Sequence, residues 1–93
     1  MSFAAVTNVN LKGRDRADAE KFLNEVMIPA IKTLTGFQTA RFLRSVDGTT
    51  GVGAVIFDSE SNARAGLDQM IARRPAEAPP VESTAIYELV VEV

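Results

Sequence analysis

The chain is predicted to fold as one two-layer α+β domain over residues 1–93, with strand–helix–strand–strand–helix–strand order. Three observations predict it. Apolar residues recur with period two in some segments and at three- and four-residue spacing in others. An Asp47-Gly48 pair separates the second and third extended segments, which joins them as a hairpin. The length is that of one domain, and 46% apolar with 24% charged residues is an ordinary globular balance.

Residues 3–11 alternate. Phe3, Ala5, Thr7, Val9 and Leu11 fall on one side, Ala4, Val6, Asn8 and Asn10 on the other. Lys12-Gly13-Arg14 ends this strand. Asp15 suits a helix N-cap, because a short carboxylate accepts a bond from a free amide of the first turn. Asp18 and Glu20 then lie near the positive end of the helix dipole. Ala19, Phe22, Leu23, Val26, Met27, Ala30, Ile31 and Leu34 form one apolar stripe, expected to be buried. Pro29 lies inside it, lacks an N–H and crowds the carbonyl of Glu25, so a kink is expected. Gly36 is a natural stop.

Residues 37–46 and 51–57 make the hairpin strands. An even-length loop puts Ala40, Phe42, Val55 and Phe57 on one face and Thr39, Arg41, Leu43, Val52, Ala54 and Ile56 on the other. Asp58-Ser59 caps a second helix over residues 59–74, with Ala63, Leu67, Met70 and Ile71 as its buried stripe. Glu60 and Arg64 can pair across one turn, Arg73 and Arg74 suit the negative end, and Pro75 stops the helix. Residues 75–80 are a stiff connector, and residues 81–93 alternate as a long last strand. The sum is a ferredoxin-like βαββαβ arrangement: a four-stranded antiparallel sheet with two helices on one face. Both faces of the hairpin are largely apolar, and two helices cover only one. A second copy of the chain is the simplest cover for the other, so a homodimer is expected.

Composition excludes several chemistries. With no cysteine and no histidine, there is no disulfide, no thiolate metal site, no Ser–His triad and no thiol–imidazole pair. The net charge of −2 and the lack of a basic run argue against nucleic acid. No stretch approaches the ~20 apolar residues of a membrane helix. The first residues carry no signal-peptide pattern, so the expected location is cytoplasmic. Gly48, Gly51 and Gly53 surround a hairpin and do not open a helix, so they form no dinucleotide loop. Asp15, Asp18 and Glu20 are a capping cluster and not a metal cage. No metal and no cofactor is expected.

Four polar residues stand out as pocket candidates. Asn8 and Asn10 share a strand face and could meet a ligand, or bond the neighbouring backbone. Arg41 sits mid-strand on an apolar face and could clamp an anionic or carbonyl group, or bridge an interface. Tyr87, the one tyrosine, could steer a phenolic substrate or be an interface aromatic. Arg44 is expected near the hairpin tip in solvent. Glu88 lacks a matched second carboxylate, so no acid–base pair can be built.

Thr35-Gly36-Phe37, then Phe42-Leu43-Arg44-Ser45-Val46-Asp47-Gly48, then Val55-Ile56-Phe57-Asp58-Ser59-Glu60 resemble the antibiotic biosynthesis monooxygenase-like group of the dimeric α+β barrel superfamily. The resemblance implies a homodimer whose sheets meet face to face, with a pocket between each sheet and its helices. Members include cofactor-free oxygenases, haem-degrading enzymes and isomerases. The haem-degrading members rely on a histidine and a tryptophan, and this chain has neither. The expectation is therefore a small homodimeric protein that binds a small apolar molecule, as a cofactor-free monooxygenase or isomerase. The alternative is a non-enzymatic dimerisation module with a filled core. A void above about 300 Å³ separates the two.

Overall fold

The period-two segments become four strands of one antiparallel sheet in the computed structural model, which describes residues 1–93. They are β1 (Phe3–Asn10), β2 (Phe37–Arg44), β3 (Thr50–Phe57) and β4 (Val81–Glu88), in spatial order β2-β3-β1-β4. Pairing puts Ala5 opposite both Val55 and Ile86, and Phe42 opposite Gly53. The expected division of the hairpin faces follows from this register. Ser45 N–H donates to Thr50 O at 2.8 Å, which closes the loop around residues 46–49. The last strand is shorter than expected: β4 ends at Glu88, and Leu89 N–H donates to Ser2 O at 2.9 Å as the chain leaves the sheet.

The first helical stretch runs as α1 (Arg16–Phe22), a π-helical turn (Leu23–Met27) and α2 (Ile28–Ile31). Asp15 caps it as expected, its carboxylate accepting from Asp18 N–H at 3.1 Å. The irregularity expected at Pro29 takes the form of the π turn just before it. Ile28 N–H reaches back to Leu23 O, one residue further than in an α-helix. A wider turn suits a site where the proline cannot donate to the preceding turn.

The second helix, α3 (Glu60–Ala72), is capped by Ser59, whose hydroxyl accepts from Asn62 N–H at 3.2 Å. The Glu60–Arg64 pair forms at 2.8 Å. Both side chains are more than half exposed, so the pair contributes only tenths of a kcal/mol.

The core lies between α2, α3 and the sheet: Ala5, Ile31, Leu34, Val55, Phe57 and Ala63. Burying a phenylalanine side chain stabilises by about 1.5–3 kcal/mol, and Phe57 is fully enclosed. The expected stripes are buried only in part. Of the first, Ile31 and Leu34 are buried, while Val26 is exposed. On α3 the buried residues are Ala63 and Gly66, while Ile71 is 41% exposed. Gly66 is required where it stands, because a methyl there would run into the Phe57 ring. We therefore expect Gly66→Ala to destabilise by about 1–3 kcal/mol, read as a lower midpoint in urea unfolding. An unchanged midpoint would show that α3 can lift off Phe57 freely.

The hairpin tip is organised by one carboxylate. Asp47 Oδ1 accepts from the Ser45 hydroxyl at 2.7 Å, Thr49 N–H at 3.0 Å and the Thr49 hydroxyl at 2.8 Å. These bonds, the Ser45 hydroxyl foremost, favour the charged form and lower its pKa from 3.8 to about 2. A carboxyl whose folded pKa is depressed stabilises the fold above its unfolded pKa, and that contribution is lost as pH falls through the folded value. The loss is expected between about pH 4 and pH 2. A carboxyl-carbon NMR titration should give Asp47 a midpoint near 2, and a midpoint near 3.8 would mean that the three bonds do not persist.

Candidate functional site

The two helical layers meet the sheet differently. α3 packs directly on β1, β3 and β4. α1 makes no comparable contact with any strand and contains no buried residue. Between α1 and the sheet lies a cleft of about 810 Å³. Its roof is Ala19 and Phe22 of α1 with Leu23 and Met27 of the π turn, all half-buried. Its floor is Thr7 and Val9 of β1, Leu11 just beyond, Phe42 of β2, and Gly51 and Gly53 of β3.

Gly51 and Gly53 lie two apart, so both open onto the helix side of the sheet. A Cβ on Gly51 would sit 2.9 Å from Val9 Cγ2 and 3.1 Å from Leu11 Cδ1. One on Gly53 would sit 3.1 Å from the Phe42 ring and 3.2 Å from the Thr7 hydroxyl. The neighbouring side chains therefore lie down across bare backbone, which keeps the floor low. The signal was present in the sequence as a Gly-Val-Gly inside a buried strand, a pattern that marks close approach to a strand backbone. Gly51 and Gly53 lie in the third strand as expected and form no dinucleotide loop; the low floor they make is what the sequence reading does not contain.

The mouth of the cleft is charged. Arg14, which follows β1, donates to Glu77 O at 2.6 Å and Ala78 O at 3.1 Å. Arg74, which follows α3, donates to Pro79 O. The two side chains thus both bond carbonyls of the 75–80 connector. Burial lowers the pKa of Arg74 from its ordinary value, and the nearby Arg14 charge lowers it further. Arg44 also lines the cleft and is half-buried, and not in solvent as expected. The ion pairs of the chain are Arg16–Glu20 and Arg64–Glu60, so none of these three arginines is matched to a carboxylate.

None of the four sequence candidates lines this cleft. Asn8 lies opposite Val52 and Ser83, Arg41 opposite Ala54, and Tyr87 opposite Ala4. Their side chains share the sheet face that points away from the helices. Arg41 is exposed and donates to Thr39 Oγ1 at 3.1 Å and Ala40 O at 3.0 Å. Tyr87 is 57% exposed. Asn10 accepts from Lys12 N–H at 2.9 Å, so its amide serves the turn that ends β1.

The comparisons with known proteins bear on the fold. No family model matches the chain, and neither does any curated protein. Solved structures do. A monooxygenase from the gene ActVA-Orf6 of Streptomyces coelicolor, in complex with nanaomycin D, is 19% identical with a TM-score of 0.69, over 99% of this chain and 90% of that one. SnoaB, a cofactor-independent oxygenase of Streptomyces nogalater, is 16% identical with a TM-score of 0.73, over 99% and 96%. The chain shares the fold of these two oxygenases. MhuD, a haem degrader of Mycobacterium tuberculosis with two haems bound in its active site, shares that fold at 16% identity and a TM-score of 0.74, over 98% of both chains.

Haem does not fit the residues present here. The usual proximal ligands to haem iron are His, Cys or Tyr. The cleft is lined by none of them, and the single tyrosine is on the opposite sheet face. No group of three His, Cys, Asp or Glu side chains could hold a metal ion. What the cleft offers is an apolar interior with charged side chains of both signs on its lining, three of the arginines having no carboxylate partner. Gly53→Val should push the Phe42 ring into it and reduce the binding of a neutral naphthalene dye severalfold. It should also destabilise the fold by about 1–3 kcal/mol. Undiminished dye binding by the folded variant would place the dye elsewhere.

Proposed function

We propose that the chain is a homodimeric protein that holds a small, largely apolar molecule between α1 and the sheet and acts on it as a cofactor-free monooxygenase. The observation that carries this is the cleft of about 810 Å³, well above the ~300 Å³ at which ligand sites begin. A non-enzymatic module would fill that space with side chains. The shared fold with a monooxygenase bound to nanaomycin D and with a cofactor-independent oxygenase supports the choice of reaction over isomerisation.

Such a reaction makes particular demands. The substrate itself must reduce dioxygen, so it must be electron-rich and able to lose a proton from carbon. One oxygen atom becomes a carbonyl on that carbon, and the other leaves as water with the two hydrogens. The protein's part is to enclose the substrate, orient it and exclude bulk water.

The second copy of the chain belongs to the same reading. The helix-free sheet face carries Val6, Val52, Ala54, Ile56 and Ala85 in its middle, with Leu43 and Tyr87 more than half exposed at its sides. Asn8, Arg41 and Tyr87 then become interface residues, polar groups placed to meet a partner sheet. We read the protein as cytoplasmic; no helix is long and apolar enough to cross a membrane.

The test is oxygen uptake in the presence of a chelator, with anthrone as substrate. Anthrone and one dioxygen give anthraquinone and one water. Uptake above the uncatalysed rate, with one labelled oxygen atom from dioxygen in the product, is the expected result. Binding without turnover would leave a binding protein or an isomerase, and no binding would favour the filled module.

A further inference from the structure

The cleft is apolar inside, yet three arginines stand on its lining without a carboxylate partner. Arg14 and Arg74 share one anchor. They approach the same short connector and bond its carbonyls at Glu77, Ala78 and Pro79. Those bonds use only part of each guanidinium's donors, so N–H groups remain available on both.

Arg14 and Arg74 carry like charges at one cleft, and neither forms an ion pair. The carboxylates on the same lining do not neutralise them. Asp15 caps α1, Glu20 pairs with Arg16, and Asp18 and Glu77 reach no arginine. The connector carbonyls hold the two guanidiniums in place but supply no negative charge. Burial first, and then the neighbouring Arg14 charge, lower the pKa of Arg74 from its ordinary value, so a nearby anion would favour its charged form.

We propose that Arg14 and Arg74 form a carboxylate-binding site at the mouth of the cleft, so that the natural ligand is an apolar molecule carrying a carboxylate at one end. The proposal rests on the reading of the cleft as a ligand site and specifies its ligand class. A carboxylate accepts two parallel N–H bonds from a guanidinium, and its charge relieves the repulsion between the pair. The apolar body then lies inward, between Phe22 and Phe42. Arg44 adds positive potential further along the lining.

The test compares 2-naphthoate with 2-naphthamide, which have the same ring and nearly the same shape but differ in charge. Calorimetric titration of the intact wild-type protein should show naphthoate binding at least about tenfold tighter, the least expected of a charge-assisted pair. The preference should weaken as salt is raised. In Arg14→Gln and Arg74→Gln the ratio of naphthoate to naphthamide affinity should fall to within about twofold, and Arg74→Lys should keep part of it. Arg64→Gln, whose parent side chain is paired with Glu60 on α3 away from the cleft, should retain the full preference. If either Gln variant does not fold, the wild-type comparison and its salt dependence still decide. Equal binding of the two compounds by the wild type overturns the carboxylate site while leaving the cleft as a ligand site. Binding of neither compound overturns both.

Discussion

Everything in this structure follows from how a four-stranded sheet with two apolar faces is covered. On the helix side, α2 and α3 press on Ala5, Val55 and Phe57 and make a small core. On the other side, rows of side chains cross the sheet with no helix above them: Thr39, Ile56, Ala4 and Tyr87; then Arg41, Ala54, Val6 and Ala85; then Leu43, Val52, Asn8 and Ser83. Each leucine, isoleucine or valine moved out of water there stabilises by about 1.5–3 kcal/mol. A domain of 93 residues has little stability to spare, so a surface of this kind favours association. The segment beyond β4 adds Val90, Val91 and Val93, all exposed, to the apolar surface in need of cover.

Covering is also incomplete on the helix side, and the functional reading starts there. α1 stands off the strands and presents Ala19 and Phe22 to a floor of Val9, Leu11 and Phe42. Apolar surfaces that face each other across an open cleft forgo the stabilisation that contact would give. A ligand of the proposed kind would restore those contacts and draw its binding energy from that unmet burial. The π turn contributes by placing Leu23 and Met27 along the same roof. The bare backbone of Gly51 and Gly53 contributes by letting the floor residues lie flat.

Periodicity made the fold legible. The alternation of residues 3–11, the Asp47-Gly48 turn and the caps at Asp15 and Ser59 each act locally, and each is where the spacing put it. The faces of β2 and β3 were legible for the same reason, since the loop of residues 46–49 has even length. The cleft was not legible, because it depends on how far one helix stands from a sheet, and no local pattern encodes that distance. Asn8, Arg41 and Tyr87 drew attention as polar residues on strands, and the structure sets them on the face without helices. Arg14, Arg44 and Arg74 lie at turns and element ends, where arginine is common and carries no local signal of a site. Only the fold brings them to one cleft.

The central claim is that the helix-free face is hidden by a second copy of the same chain. Sedimentation equilibrium over a range of low micromolar concentrations tests it most directly. The account predicts a mass twice the 10.0 kDa of the chain across that range. A mass of 10.0 kDa throughout, from protein whose circular dichroism shows it fully folded, would contradict it.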